Sequence, residues 1–166
     1  MFSEKITPRF SDTDALGHIN NTMVPVWFEG ARDPIFRLFT PELDLKAWPL
    51  ILAKIDVSFL AQMYYGQELE IRTMISRIGG ASFDVLQEVW QNGKKCASGT
   101  AVMVNFCYKT QGSVKIPENI KVMYNKILKI CDKYHVPIPA AALQFSYANT
   151  LISSMILGMD RSEQVN

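Results

Sequence analysis

Through the middle of the chain, hydrophobic residues fall at every second position. Over residues 51–61, Ile51, Ala53, Ile55, Val57, Phe59 and Ala61 share one face, while Lys54, Asp56, Ser58 and Gln62 take the other. That period of two is the mark of a half-buried strand. Alternating runs recur over 68–78 and 82–90, separated by Gly79-Gly80, a pair able to take the positive φ angles of a tight hairpin. Asn92-Gly93 marks a second hairpin, and a run over 94–108 completes an expected antiparallel meander of four long strands. Residues 4–10 add a fifth strand at the edge.

A different period governs residues 22–39. Met23, Trp27, Ala31, Ile35 and Leu38 recur at helical spacing, and Val24, Phe28 and Phe36 widen the apolar face over much of the circumference. A helix this apolar has to be covered by the sheet. Pro25 is compatible with the first turn, whereas Pro34 falls inside the pattern and is expected to kink or shorten the helix. After Pro117, Ile120, Met123, Tyr124, Ile127, Leu128 and Cys131 form the apolar face of another amphipathic helix, with Lys121, Lys126 and Lys129 toward solvent. Strands and helices are segregated and no βαβ alternation occurs, so the class is α+β with an antiparallel sheet.

The tail is unusual because residues 136–159 contain no Asp, Glu, Lys or Arg. Twenty-four residues could in principle cross a bilayer. However, Gln144, Ser146, Asn149, Thr150, Ser153 and Ser154 interrupt the stretch, and Leu143, Tyr147, Leu151, Met155 and Met159 form an i, i+4 stripe. The expectation is a helix packed on the domain or on a partner subunit, with membrane contact by 136–159 as the alternative. The chain thus divides into a domain over residues 1–134 and a C-terminal extension over 135–166.

Composition narrows the class of function. The 166 residues are 48% hydrophobic and 20% charged, the profile of a globular domain able to bury roughly 70% of its unfolded surface. Seventeen basic against sixteen acidic residues leave a formal charge of +1, which argues against nucleic acid as a partner. Cys96, Cys107 and Cys131 form an odd set without CxxC spacing, so neither a disulfide framework nor a zinc site is expected. With no apolar signal-peptide core in the first residues, the expected compartment is the cytoplasm.

Chemistry concentrates between the first strand and the apolar helix, in Arg9-Phe10-Ser11-Asp12-Thr13-Asp14-Ala15-Leu16-Gly17-His18-Ile19-Asn20-Asn21. A helix N-terminus offers free N–H groups and a positive dipole end to a substrate oxygen. An adjacent carboxylate can attack a carbonyl carbon or activate water. Together they would make an acyl-transfer site. The same Asp, Gly and Asn residues are also the ordinary material of turns and caps, so Asp12, Asp14, Gly17, Asn20 and Asn21 could simply shape the loop.

Residues 9–21, followed by Glu29, Ala31 and Arg32, resemble the hot-dog-fold acyl-CoA thioesterases of the 4-hydroxybenzoyl-CoA thioesterase type, with their aspartates, Gly-His, paired Asn and Glu-x-Ala-Arg. The resemblance spans about residues 3–133. It implies a long central helix wrapped by a five-stranded antiparallel sheet, and hydrolysis of an acyl-CoA or acyl-carrier-protein thioester without metal or organic cofactor. Asp14 then matches the catalytic nucleophile or general base, and the backbone N–H of Asn21 the group that polarises the carbonyl. Gly17, His18 and Asn20 support the loop, and Asp12 and Arg9 brace its turn. Glu29 is a second catalytic candidate, because related enzymes carry their carboxylate on the central helix, although its i, i+3 spacing to Arg32 favours an ordinary ion pair.

The resemblance also implies a homodimer or homotetramer with sites between subunits. Arg72, Arg77, Lys94 and Lys95 are available for the phosphates of CoA, with nothing to rank them. One departure is that Thr22, Met23, Val24 and Pro25 stand where the family often has an aromatic residue, which leaves the acyl wall open. The Asp and His of a hot-dog hydratase are five apart around Asn-Pro; here Asp14 and His18 are four apart and Asn-Pro is missing. A non-catalytic dimer that binds acyl-CoA or an acyl carrier is the remaining alternative.

Overall fold

The computed structural model describes residues 1–136. Five antiparallel strands form its sheet: β1 (Phe2–Ile6), β2 (Leu50–Phe59), β3 (Leu69–Ile78), β4 (Ser82–Gln91) and β5 (Lys94–Cys107), in the order β1-β3-β4-β5-β2. A two-residue strand, β6 (Gly112–Ser113), adds to β5. The helices are α1 (Met23–Gly30), α2 (Asp33–Phe36) and α3 (Glu118–Lys133). Residues 137–166, with nearly all of the expected C-terminal extension and its possible membrane contact, lie outside the described residues. Among those described, no helix is long and apolar enough to cross a membrane.

The expected meander needs correction. Only β3, β4 and β5 follow one another as hairpins, while β2 lies at the far edge against β5. The connection over residues 60–68 is too long for a tight turn, β1 already occupies the free edge of β3, and the fourteen-residue β5 accommodates the whole of β2. Asn92 and Gly93 both take positive φ (51° and 73°), as a type I′ turn requires. The Gly79-Gly80 hairpin forms without positive φ at either glycine. A neighbouring segment holds it, because Ile116 N–H donates to Gly80 O and Asn105 N–H to Ala81 O.

The inner face of the sheet carries α1. Val24, Trp27, Phe28 and Ala31 are buried against Leu69, Ile71, Val89 and Ala97, and beyond them Ile35 and Phe36 meet Phe83, Val85 and Met103. At Gly99 of β5 the helix comes closest: a Cβ there would stand 2.9 Å from Phe28 Cε2 and 2.5 Å from the Asp56 carbonyl oxygen. Glycine is therefore required by space, not by φ.

The central helix is shorter than the apolar pattern suggested, because it ends at Gly30 and restarts as α2 with Pro34 in the first turn. Proline lacks the N–H that would continue the ladder, and its ring excludes the preceding turn. The C-terminal helix docks through Ile120 and Cys131, and the Tyr124 hydroxyl donates to Ser76 O at the bulge of β3. Met123 and Ile127, expected on its buried face, are 40% and 46% exposed.

Candidate active site

Between β1 and α1 the chain folds a compact loop almost entirely from its own backbone. Asp12 accepts the Arg9 N–H at 2.7 Å and returns its own N–H to Arg9 O, closing a short 3₁₀ turn. Thr13 bonds back to Phe10 O through both its N–H and its hydroxyl. Asn20 N–H donates to Asp12 O, so the two ends of the loop are pinned together.

Asp14 stands at the centre. Its Oδ1 accepts the N–H groups of Leu16 (2.8 Å) and His18 (3.0 Å), and its own N–H donates to His18 O. Its Oδ2 makes no hydrogen bond among the described residues. Gly17 completes the turn at φ +80°, a conformation costly for side-chain-bearing residues. The His18 ring meets Tyr64 edge to face at 5.4 Å, and Ile19 N–H donates to Met63 O. Gln91 clamps the facing segment, accepting Tyr64 N–H and donating to Tyr64 O.

At the start of α1, N–H groups are consumed in order. Thr22 N–H and hydroxyl both donate to Asn20 Oδ1, Met23 N–H to Asn20 O and Val24 N–H to Asn21 O, while Pro25 has none. The Asn21 N–H alone in this stretch has no acceptor among the described residues. Asp14, His18 and Asn21 line one open cavity of about 380 Å³ together with Ile19 and the 59–63 segment.

Asp14, Gly17, His18, Asn20 and Asn21 are thus brought together, with Asn20 acting through its side chain on the helix start. Glu29 is not among them. It is exposed near the opposite end of α1, and it forms no ion pair with Arg32. Arg32 turns inward instead and donates to Gln87 Oε1 at 3.0 Å. Sequence reasoning missed the wall formed by Phe59, Leu60, Ala61, Gln62 and Met63, because nothing in their alternation shows that the end of β2 returns to the Asp14 loop. Of the Thr22–Pro25 segment, Val24 is fully buried and Met23 packs on the core, and neither lines the Asp14 cavity.

Three of the four basic residues considered for phosphates are engaged on the sheet. Arg72 pairs with Glu70 and lies 4.4 Å over the Trp90 ring, Arg77 forks onto Asp84, and Lys95 reaches Glu88. Lys94 is in no ion pair among the described residues.

Known proteins share this fold and much of this sequence. A predicted thioesterase of known structure from Bacillus stearothermophilus is 47% identical, with 75% of this chain and 94% of that one covered at a TM-score of 0.72. A thioesterase from Thermus thermophilus, solved with coenzyme A and Zn, is 27% identical over 72% of this chain and 93% of its own, at a TM-score of 0.65. YsmA, an uncharacterised protein of Bacillus subtilis, is 31% identical over 105 residues, which are 62% of this chain and 71% of that protein. The family model of the thioesterase-like superfamily matches residues 8–127, and with a helix held in a curled antiparallel sheet the chain belongs to that superfamily and has the hot-dog fold.

Proposed function

We propose that the protein hydrolyses an acyl thioester of coenzyme A or of an acyl carrier protein to the free acid and thiol, with Asp14 as nucleophile or general base. The observation that carries this reading is a carboxylate held by one oxygen only. Leu16 and His18 N–H groups orient Asp14 through Oδ1 and leave Oδ2 without a hydrogen bond, and Asp14 lines the same cavity as Asn21, whose N–H has no acceptor among the described residues. The carbonyl oxygen of the thioester would sit on that N–H, where the dipole of α1 adds to the stabilisation of developing negative charge. Oδ2 would then either attack the carbonyl carbon, expelling the thiolate and leaving an anhydride for water to open, or take a proton from the water that attacks. Gly17 and His18 keep the loop in shape and Asn20 orders the helix start.

The acyl-CoA assignment is supported by the superfamily and by the coenzyme A bound to the Thermus thermophilus relative. Assembly as a homodimer, or a pair of dimers, is part of the proposal. Strand β2 is a ten-residue sheet edge with Leu52 and Phe59 exposed, and with Leu60 just beyond it; a partner would bury these apolar groups and the unpaired backbone. A cytoplasmic location is part of the same proposal.

Free thiol release from short, medium, long and aromatic acyl-CoAs tests the reaction, with Asp14→Asn beside the wild type. Turnover lost in the variant establishes the role of Asp14. Turnover that survives moves the chemistry to Glu29 or to a positioned water, and binding without turnover returns the non-catalytic acyl-binding dimer.

A further inference from the structure

A second and larger cleft, of about 860 Å³, opens at the other end of α1. It shares no lining residue with the Asp14 cavity. Its apolar lining includes Phe36, Trp48, Leu50, Met103 and Tyr108, with the Phe36 and Trp48 rings edge to face at 5.1 Å. Arg32 also lines it and is only 2% exposed.

The state of that guanidinium is unusual. Its Nη1 donates to Gln87 Oε1, its Nε is sealed from solvent without an acceptor, and no carboxylate lies within ion-pair distance among the described residues. Burial depresses its pKa, and the attraction of the more distant Glu29 offsets this only in part. Arg72 has a sealed Nε too, but Glu70 pairs with it at 2.8 Å. A buried cation without an anion is costly, and one supplied from outside would recover much of that cost. The planar guanidinium suits a carboxylate, and Lys46 adds an exposed positive charge to the lining. Two acidic residues, Glu29 and Asp33, also line the cleft, but both are exposed and neither pairs with Arg32.

We infer that this cleft is a binding site, separate from the Asp14 cavity, for a small apolar carboxylate, whose anion is received by Arg32 and whose body lies against Trp48 and Phe36. The inference stands whether or not Asp14 turns over a thioester.

Hexanoate and its neutral counterpart hexanamide decide it without any substitution. The full chain is titrated with each at matched ionic strength, following the Trp48 indole and Arg32 Nε–H resonances by NMR. Hexanoate is expected to bind at least tenfold more tightly and to shift both signals. Arg32→Gln should remove the preference if it folds, as judged by its thermal transition, and the exposed-site variant Lys46→Ala should weaken hexanoate a few-fold. Equal affinity for the two ligands, binding of neither, or shifts confined to Ile19 and Asn21 would overturn the assignment.

Discussion

The two ends of α1 place polar groups beside the same apolar core by opposite means. At the N-terminal end every partner of Asp14 lies within four residues, and the loop from Arg9 to Asn21 is held chiefly by its own backbone. At the C-terminal end the partners are distant in sequence: Gln87 accepts from Arg32 across 55 residues and donates to Phe28 O across 59. Local bonding leaves one carboxylate oxygen and one N–H without a partner in two residues that line a cavity. Long-range bonding seals a charge in the core and ties the helix to the sheet. The first arrangement suits reaction with a ligand, whereas the second ties the interruption of the helix to the fold.

The register explains why the second arrangement is possible. Thr73, Gln87 and Gly99 stand side by side on β3, β4 and β5, all on the inner face. Since Gly99 has no side chain, Gln87 can reach Phe28 O and Thr73 Oγ1 while still accepting from Arg32. Pro34 contributes as well, because the break it imposes leaves helix carbonyls without intrahelical donors, and Gln87 satisfies one of them.

If the C-terminal end is held by these long-range bonds, Gln87→Leu should be the most damaging change. It strands the Arg32 guanidinium and the Phe28 carbonyl, and urea unfolding is expected to show a loss of about 3 kcal/mol. Next in size, Asp14→Asn should lower kcat/KM for the best acyl-CoA at least a hundredfold, about 2.7 kcal/mol of transition-state stabilisation. Its melting temperature should hardly move, because the amide oxygen can still accept from Leu16 and His18. The pair of results separates the two ends, since one change affects the fold and the other only the reaction.

Gly99→Ala probes the point between them. The new methyl group meets the Asp56 carbonyl and Phe28, so a loss of about 2 kcal/mol is expected by thermal or denaturant unfolding. Gly17→Ala should cost about 1 kcal/mol through φ alone, because nothing lies within 4 Å of the added methyl, and activity should fall with the geometry of Asp14.

The smallest effect lies outside both ends. Burial alone would raise the Glu70 carboxyl, yet hydrogen bonds from Arg72 and Ser3 and the charges of Arg72 and Lys5 hold it below its ordinary value. A depressed carboxyl stabilises the folded state at pH above its unfolded value, and that contribution disappears as pH falls through the folded one. Glu70→Gln should therefore narrow the gap in stability between pH 7 and acid, read from melting temperatures across that range.

The same contrast governs what could be read before the fold was known. Alternation located β2 to β5 to within a few residues, since a strand that buries one face writes its period into the chain. Asn92-Gly93 announced its turn, and Pro34 its break. The Asp14 loop was legible because its partners are neighbours, and the resemblance named the same residues. The placement of β2 beside β5, the wall from Phe59 to Met63 and the inward turn of Arg32 were not legible. At i, i+3, Arg32 and Glu29 read as a surface pair, and only the reach of Gln87 from a distant strand gives the guanidinium a partner inside.

By itself, then, the sequence determined the strands, the Asn92-Gly93 turn and the loop that carries Asp14, because each depends on residues a few positions apart. The tertiary structure decided which strands pair, which cavity each polar group faces and which charge is buried. Those outcomes depend on how distant side chains fill one shared space, and no local pattern records that.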